Sequence, residues 1–177
     1  MRKELFVHFA FLVSLFIFIS LVKGWIAIAY WPFWVGGVVG TLLPDIDHLI
    51  YVYFLRPLDL TSQRVNHLIT KREILNTLNL LAETRYERKD LVFHTVLFQI
   101  IFLILTFWII VSSGSLLGRG IVLAFTLHLL IDQIVDLREV GNLDNWFKNF
   151  PIQVDANRTR VYWGIMLILL LFLGFLL

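Results

Sequence analysis

The chain has 177 residues, 59% apolar and only 16% charged, with a mean hydropathy of +0.81 and a net charge of +2. Ordinary soluble domains carry roughly 25% charged residues, and a domain of this size has too little interior to hide so much apolar surface. This excludes a disordered chain, a disulfide-rich secreted scaffold and an ordinary cytosolic enzyme; the absence of cysteine excludes thiol chemistry and Cys-type zinc sites.

A bilayer core about 30 Å thick needs roughly 20 apolar residues of helix. Leu5–Val22 is the first such run and Trp25–Leu43, closed by Pro44, the second. Leu91–Leu117, Gly120–Asp136 and Val161–Leu177 follow. All read as helix, because an isolated strand leaves backbone groups unpaired in lipid. Met1-Arg2-Lys3 ahead of the first run resembles a signal-peptide start, but the apolar stretch is long and no small-x-small site follows Val22. It reads as an uncleaved anchor. The expectation is an all-α, polytopic membrane helix bundle forming one domain over residues 1–177. It has five spans, with loops at 44–90 and 137–160.

The basic residues orient it. With the N-terminus cytoplasmic, 13 of the 15 Lys and Arg fall on the inner side, as the positive-inside rule requires. That predicts an inner-membrane protein with its C-terminus outside. The Asn157-Arg158-Thr159 sequon then lies inside and carries no weight.

Within the 44–90 loop, Leu75, Leu78 and Ala82 recur at helical spacing among basic residues. Thr70 and Glu73 fit a capping box, predicting two short interfacial helices that meet near Thr70. Trp146, Phe147 and Phe150 suit an interfacial loop, and His67 reads as solvated or facing headgroups.

Ionisable groups inside spans are costly and usually pair, bind something or line a polar cavity. His8 opens span one, and Asp45, Asp47 and His48 close span two. His94 opens span three; His128 and Asp132 lie at i and i+4 in span four, on one helix face. At 1.5 Å per residue, His8 and His94 fall about 4–5 Å from the inner end of their spans, Asp132 roughly 6 Å and His128 roughly 12 Å. Four helices thus offer imidazoles and carboxylates at one level in the cytoplasmic half. His and Asp without Cys suit zinc, with manganese or iron as alternatives. With seven candidate ligands (His8, Asp45, Asp47, His48, His94, His128 and Asp132), one or two ions are expected. Asp45 and Asp47 are also candidate catalytic bases. Arg85, Arg88 and Lys89 are mainly topology signals that could face a phosphate.

Gly40-Thr41-Leu42-Leu43-Pro44-Asp45-Ile46-Asp47-His48, with the early His8, the later His94-Thr95 and His128-Leu129-Leu130-Ile131-Asp132, resembles the YdjM-type membrane-bound metal-dependent hydrolases. These are also described as LexA-binding, inner-membrane-associated hydrolases. The resemblance spans about 125 residues and implies a His/Asp metal centre acting on phosphoesters. The family usually has His-Arg-Gly shortly before its Thr-His-Ser; here that stretch reads Arg88-Lys89-Asp90-Leu91-Val92-Phe93-His94-Thr95, without the first His. His67 is the one nearby residue that could replace it.

The expected function is a divalent-metal-dependent hydrolase at the cytoplasmic leaflet. Its substrate is an ester, foremost a phosphoester of a lipid or lipid-linked molecule, with membrane lipid as partner and no nucleic acid. An ion-coupled transporter is one alternative. The other is a non-catalytic scaffold or regulatory partner with a structural metal.

Overall fold

The computed structural model describes residues 2–148, 150 and 155–177, with side chains from residue 5 onward. Met1 and the side chains of Arg2 and Lys3, the basic start noted above, lie outside the described residues. Every regular element described is helical.

Helix α1 (Arg2–Lys23) buries His8, Leu12, Phe16 and Ile19. Their 4-4-3 spacing is one helical face, so His8 is turned inward by the same periodicity that packs the apolar residues. Gly24, at a φ of +68°, ends the helix. A short 3₁₀ turn (Ile28–Tyr30) then leads into α2 (Trp31–Leu42), with Pro32 in its first turn.

Pro44 has no N–H, so the ladder breaks there and resumes through i→i−3 bonds from Ile46, Asp47 and His48. Helix α3 (Ile46–Ile50) and a π turn (Tyr51–Leu55) follow directly. The second apolar stretch therefore runs from Ile28 to Leu55 instead of ending at Leu43.

Helices α4 (Leu60–Thr70) and α5 (Ile74–Glu83) meet where two short helices were expected, but no capping box joins them. Thr70 bonds back to the Asn66 carbonyl, and Glu73 makes no side-chain cap. The chain turns instead through Arg72 at a φ of +61°, with Arg72 N–H donating to Ile69 and Glu73 N–H to Leu68. This is the Schellman arrangement, with arginine where glycine is usual.

Helix α6 (Val96–Ser112) is capped by the Thr95 hydroxyl and α7 (Leu116–Glu139) by that of Ser115. The short α8 (Asp144–Phe147) precedes α9 (Ala156–Leu176), capped by Asp155. Four stretches are long and apolar enough to cross a membrane: Leu5–Lys23, Ile28–Leu55, Leu116–Glu139 and Ala156–Leu176. The expected third span is shorter than its sequence suggested. Leu91–Thr95 is not helical, which leaves α6 with 17 residues.

Helix α7 is the spine. Its apolar window is 72% buried, against 28–33% for the other three, and α1, α2, α6 and α9 all pack on it. Contact with α2 is backbone to backbone. A Cβ on Gly36 or Gly40 would collide with the main chain of Leu117 or Ile121, and one on Gly120 with the Phe33 carbonyl. Small residues spaced by four permit this approach within a membrane. Polar pairs tie α6 and α9 to the same core. Gln133 donates to Gln99 (2.6 Å), as does Tyr162 (2.5 Å), and the Trp163 indole donates to the Leu130 carbonyl (3.1 Å).

Candidate metal centre

The cluster gathers around one carboxylate. Asp132, 1% exposed on α7, has His128 Nε2 at 3.0 Å from Oδ2, His94 Nε2 at 2.9 Å from Oδ2 and His8 Nε2 at 3.2 Å from Oδ1. The i,i+4 spacing on α7 brings His128 and Asp132 together, the inward face of α1 supplies His8, and the segment ahead of α6 supplies His94. The His8 and His128 rings lie 4.1 Å apart.

Ligand atoms of His8, His128 and Asp132 all fall within 4.8 Å of one another, and all three residues are buried. Donors held about 2.1 Å from a tetrahedral zinc lie about 3.4 Å apart. This buried group can therefore hold a metal ion. Distance alone also suits hydrogen bonds, and the contact of His94 Nε2 with Asp132 Oδ2 is one. Neither ring nitrogen of His128 makes a hydrogen bond of acceptable geometry among the described residues, while Asp132 Oδ1 is ion-paired with Arg85. Buried polar atoms of native proteins are normally satisfied, and a cation among these ligand atoms would satisfy His128.

Asp47 stands behind His94. It is 0% exposed, and both its oxygens are committed. Oδ1 accepts the Val92 N–H at 3.0 Å. Oδ2 accepts the Phe93 and His94 N–H groups at 2.6 and 3.3 Å and lies 3.0 Å from His94 Nδ1. These bonds hold 92–94 out of helical form, so His94 precedes α6 where a place three residues inside the span was expected. They also direct His94 Nε2 at Asp132. A carboxylate behind a histidine commonly orients a metal-binding imidazole in this way.

Asp45 lies at the edge of the cluster, 3.7 Å from His128 Nε2, with its side chain 48% exposed. His48 stacks on His94 at 5.3 Å between centroids, and its Nδ1 accepts from Arg88 Nε at 3.2 Å. That places the ring proton on Nε2. His67 is exposed on α4.

The sequence marks Arg85 and Arg88 mainly as topology signals that could face a phosphate, and does not place them, Asp136 or Trp146 against the cluster. Arg85 reaches Asp132 Oδ1 with Nη1 (2.9 Å) and Asp136 Oδ1 with Nε (3.0 Å). Arg88, 3% exposed, donates to the Leu81 carbonyl and to Thr84 Oγ1 (2.9 Å). Trp146 was expected in an interfacial loop. It is 2% exposed, donates to Asp136 Oδ2 at 2.6 Å and sets its ring edge-on to His94 at 5.4 Å. The available signal was the helical continuation of α5 toward Arg85 and Arg88, together with Asp136 one turn beyond Asp132.

Charge bears on the occupant. Arg85 is ion-paired with Asp132 and Asp136, and Arg88 donates to His48. Burial makes any unbalanced charge in this cluster expensive.

No protein-family model, curated protein or solved structure matches this chain.

Proposed function

We propose that the protein is a membrane-bound, divalent-metal-dependent hydrolase that cleaves an ester, foremost a phosphoester, at the cytoplasmic leaflet of an inner membrane. The observation that carries this reading is the convergence of His8, His94 and His128 on the Asp132 carboxylate, which Arg85 also contacts, with Arg88 lining the same groove. His8, His128, Asp132 and His94 would hold the ion, and Asp47 would orient His94. Asp45 is the accessible carboxylate and would serve as general base. Such an ion supplies activation of water near neutral pH and polarisation of the ester. Arg85 and Arg88 would hold the anionic part of the substrate. Zinc suits this nitrogen-rich set best. The YdjM-type resemblance points to the same chemistry.

In this reading α6 completes a five-span topology, since 17 residues rise about 25 Å. The basic α4–α5 hairpin then lies on the cytoplasmic side.

The test is hydrolysis of a water-soluble phosphodiester and of phospholipids by the purified chain, with and without chelator. Activity lost to chelator, restored by zinc or manganese and absent in Asp132→Ala supports the reading. Turnover indifferent to chelator contradicts it, as does a metal-loaded protein inert on every ester.

A further inference from the structure

A groove of about 370 Å³ opens onto the cluster between α1, α3 and α5. Small-molecule sites run from about 300 to 1,000 Å³. Its walls are aliphatic: Leu42, Ile46, Leu49 and Leu78 line it, and each leaves 36–45% of its surface exposed. These exposed aliphatic side chains give the groove an apolar mouth. The inner end is ionic, formed by His8, Asp132, Arg85 and Arg88. The same two arginines also line a second cavity of about 40 Å³, walled by Asn142, Asn145, Trp146 and His94. That space admits water. The cluster thus lies between an apolar groove and a polar pocket, with the guanidiniums between them.

We propose that the groove binds the hydrocarbon chain of an anionic amphiphile, which slides in sideways from the inner leaflet and brings its charged head to Arg85 and Arg88. The proposal rests on the hydrolase reading for what happens next, and it names the substrate class of that site. A water-soluble phosphoester gains nothing from an aliphatic wall, and an uncharged lipid gains nothing from buried guanidiniums. The geometry fits a molecule that has both parts.

The experiment uses the full chain in neutral detergent and a long-chain alkyl phosphate bearing a diazirine near its tail, with peptide mapping after photolysis. Adducts are expected on the peptides holding Ile46–Leu49 and Leu78–Ala82. Unlabelled alkyl phosphate should compete; inorganic phosphate and an alkyl alcohol of equal length should not. Ala82→Trp, which fills the groove, should lower labelling at least tenfold with metal content unchanged. Leu49→Trp serves if that variant fails to fold. Adducts spread evenly over the lipid-facing helices overturn the proposal, as does wild-type labelling in both variants. Competition by the alcohol equal to that by the phosphate overturns the anionic head. Metal content and chelator-sensitive hydrolysis of phospholipids as well as the soluble phosphodiester, read on the unaltered chain, show separately whether the hydrolase reading itself fails.

Discussion

Asp47 illustrates how much one buried carboxylate can organise. It takes three backbone N–H groups and one imidazole nitrogen, with nothing left exposed. Leaving buried donors unsatisfied costs about 1–3 kcal/mol each, so Asp47→Ala should destabilise by several kcal/mol, read as a fall of about ten degrees in the thermal midpoint. It should also weaken metal binding about 10–100-fold through a misdirected His94, measured by metal titration in detergent. Unchanged affinity would mean His94 is not a ligand. From sequence alone, Asp47 and Asp45 were equivalent; only the fold turns one into the backbone of 92–94 and leaves the other half exposed. Asp90 carries a different test, at the surface. Its hydrogen bonds to Lys148 and then Arg56 hold its carboxyl below the ordinary carboxylate range. A depressed folded value means that the stabilisation is full above the unfolded pKa, about 3.9. It is lost as pH falls through the folded value. Asp90→Asn should lower stability at pH 7 and leave it unchanged at the acid extreme, in denaturation profiles from pH 7 to 2.

At the scale of elements, helical periodicity was readable wherever it met a single packed face. The 8-12-16-19 stripe of α1 and the 128–132 pair of α7 are seen in the fold as the spacing implies. Local capping was less readable, because Thr70 can bond back to Asn66 as readily as forward, and the turn falls to Arg72. A left-handed non-glycine residue costs about 1–2 kcal/mol, so Arg72→Gly should raise the thermal midpoint by a few degrees; a lower midpoint would mean that the arginine side chain contributes more than its backbone strain removes. The α2–α7 contact gives the opposite expectation. Gly120→Ala places a methyl against the Phe33 carbonyl, and overpacking of this kind costs typically 1–3 kcal/mol. Thermal unfolding in detergent checks both. The non-helical start of α6 was not legible, since Leu91–Thr95 is as apolar as a span and only Asp47, more than 40 residues earlier, pulls it out of register.

For the whole molecule, composition and the length of the apolar runs were enough to read an all-helical fold with stretches able to cross a membrane, and the sequence positions of His8, His94, His128 and Asp132 were enough to expect them near one another. Arg85, Asp136 and Trp146 escaped that expectation, because they come from loop and helix end, where no hydrophobic period constrains position. The orientation has its own check. The chain has no cysteine, so single cysteines report cleanly. Arg64→Cys, exposed on α4, should react with an impermeant maleimide only in inverted vesicles, and a cysteine appended after Leu177 only in right-side-out ones; the reverse pattern would invert the topology. The central claim is the ion itself. Elemental analysis of the purified chain, with an anomalous signal located in crystals, should find a stoichiometric divalent metal between His8, His128 and Asp132. That metal should be lost in His128→Ala while the protein still inserts. A metal-free wild-type protein after zinc or manganese loading, or a His128→Ala variant that keeps its full complement, would contradict the account.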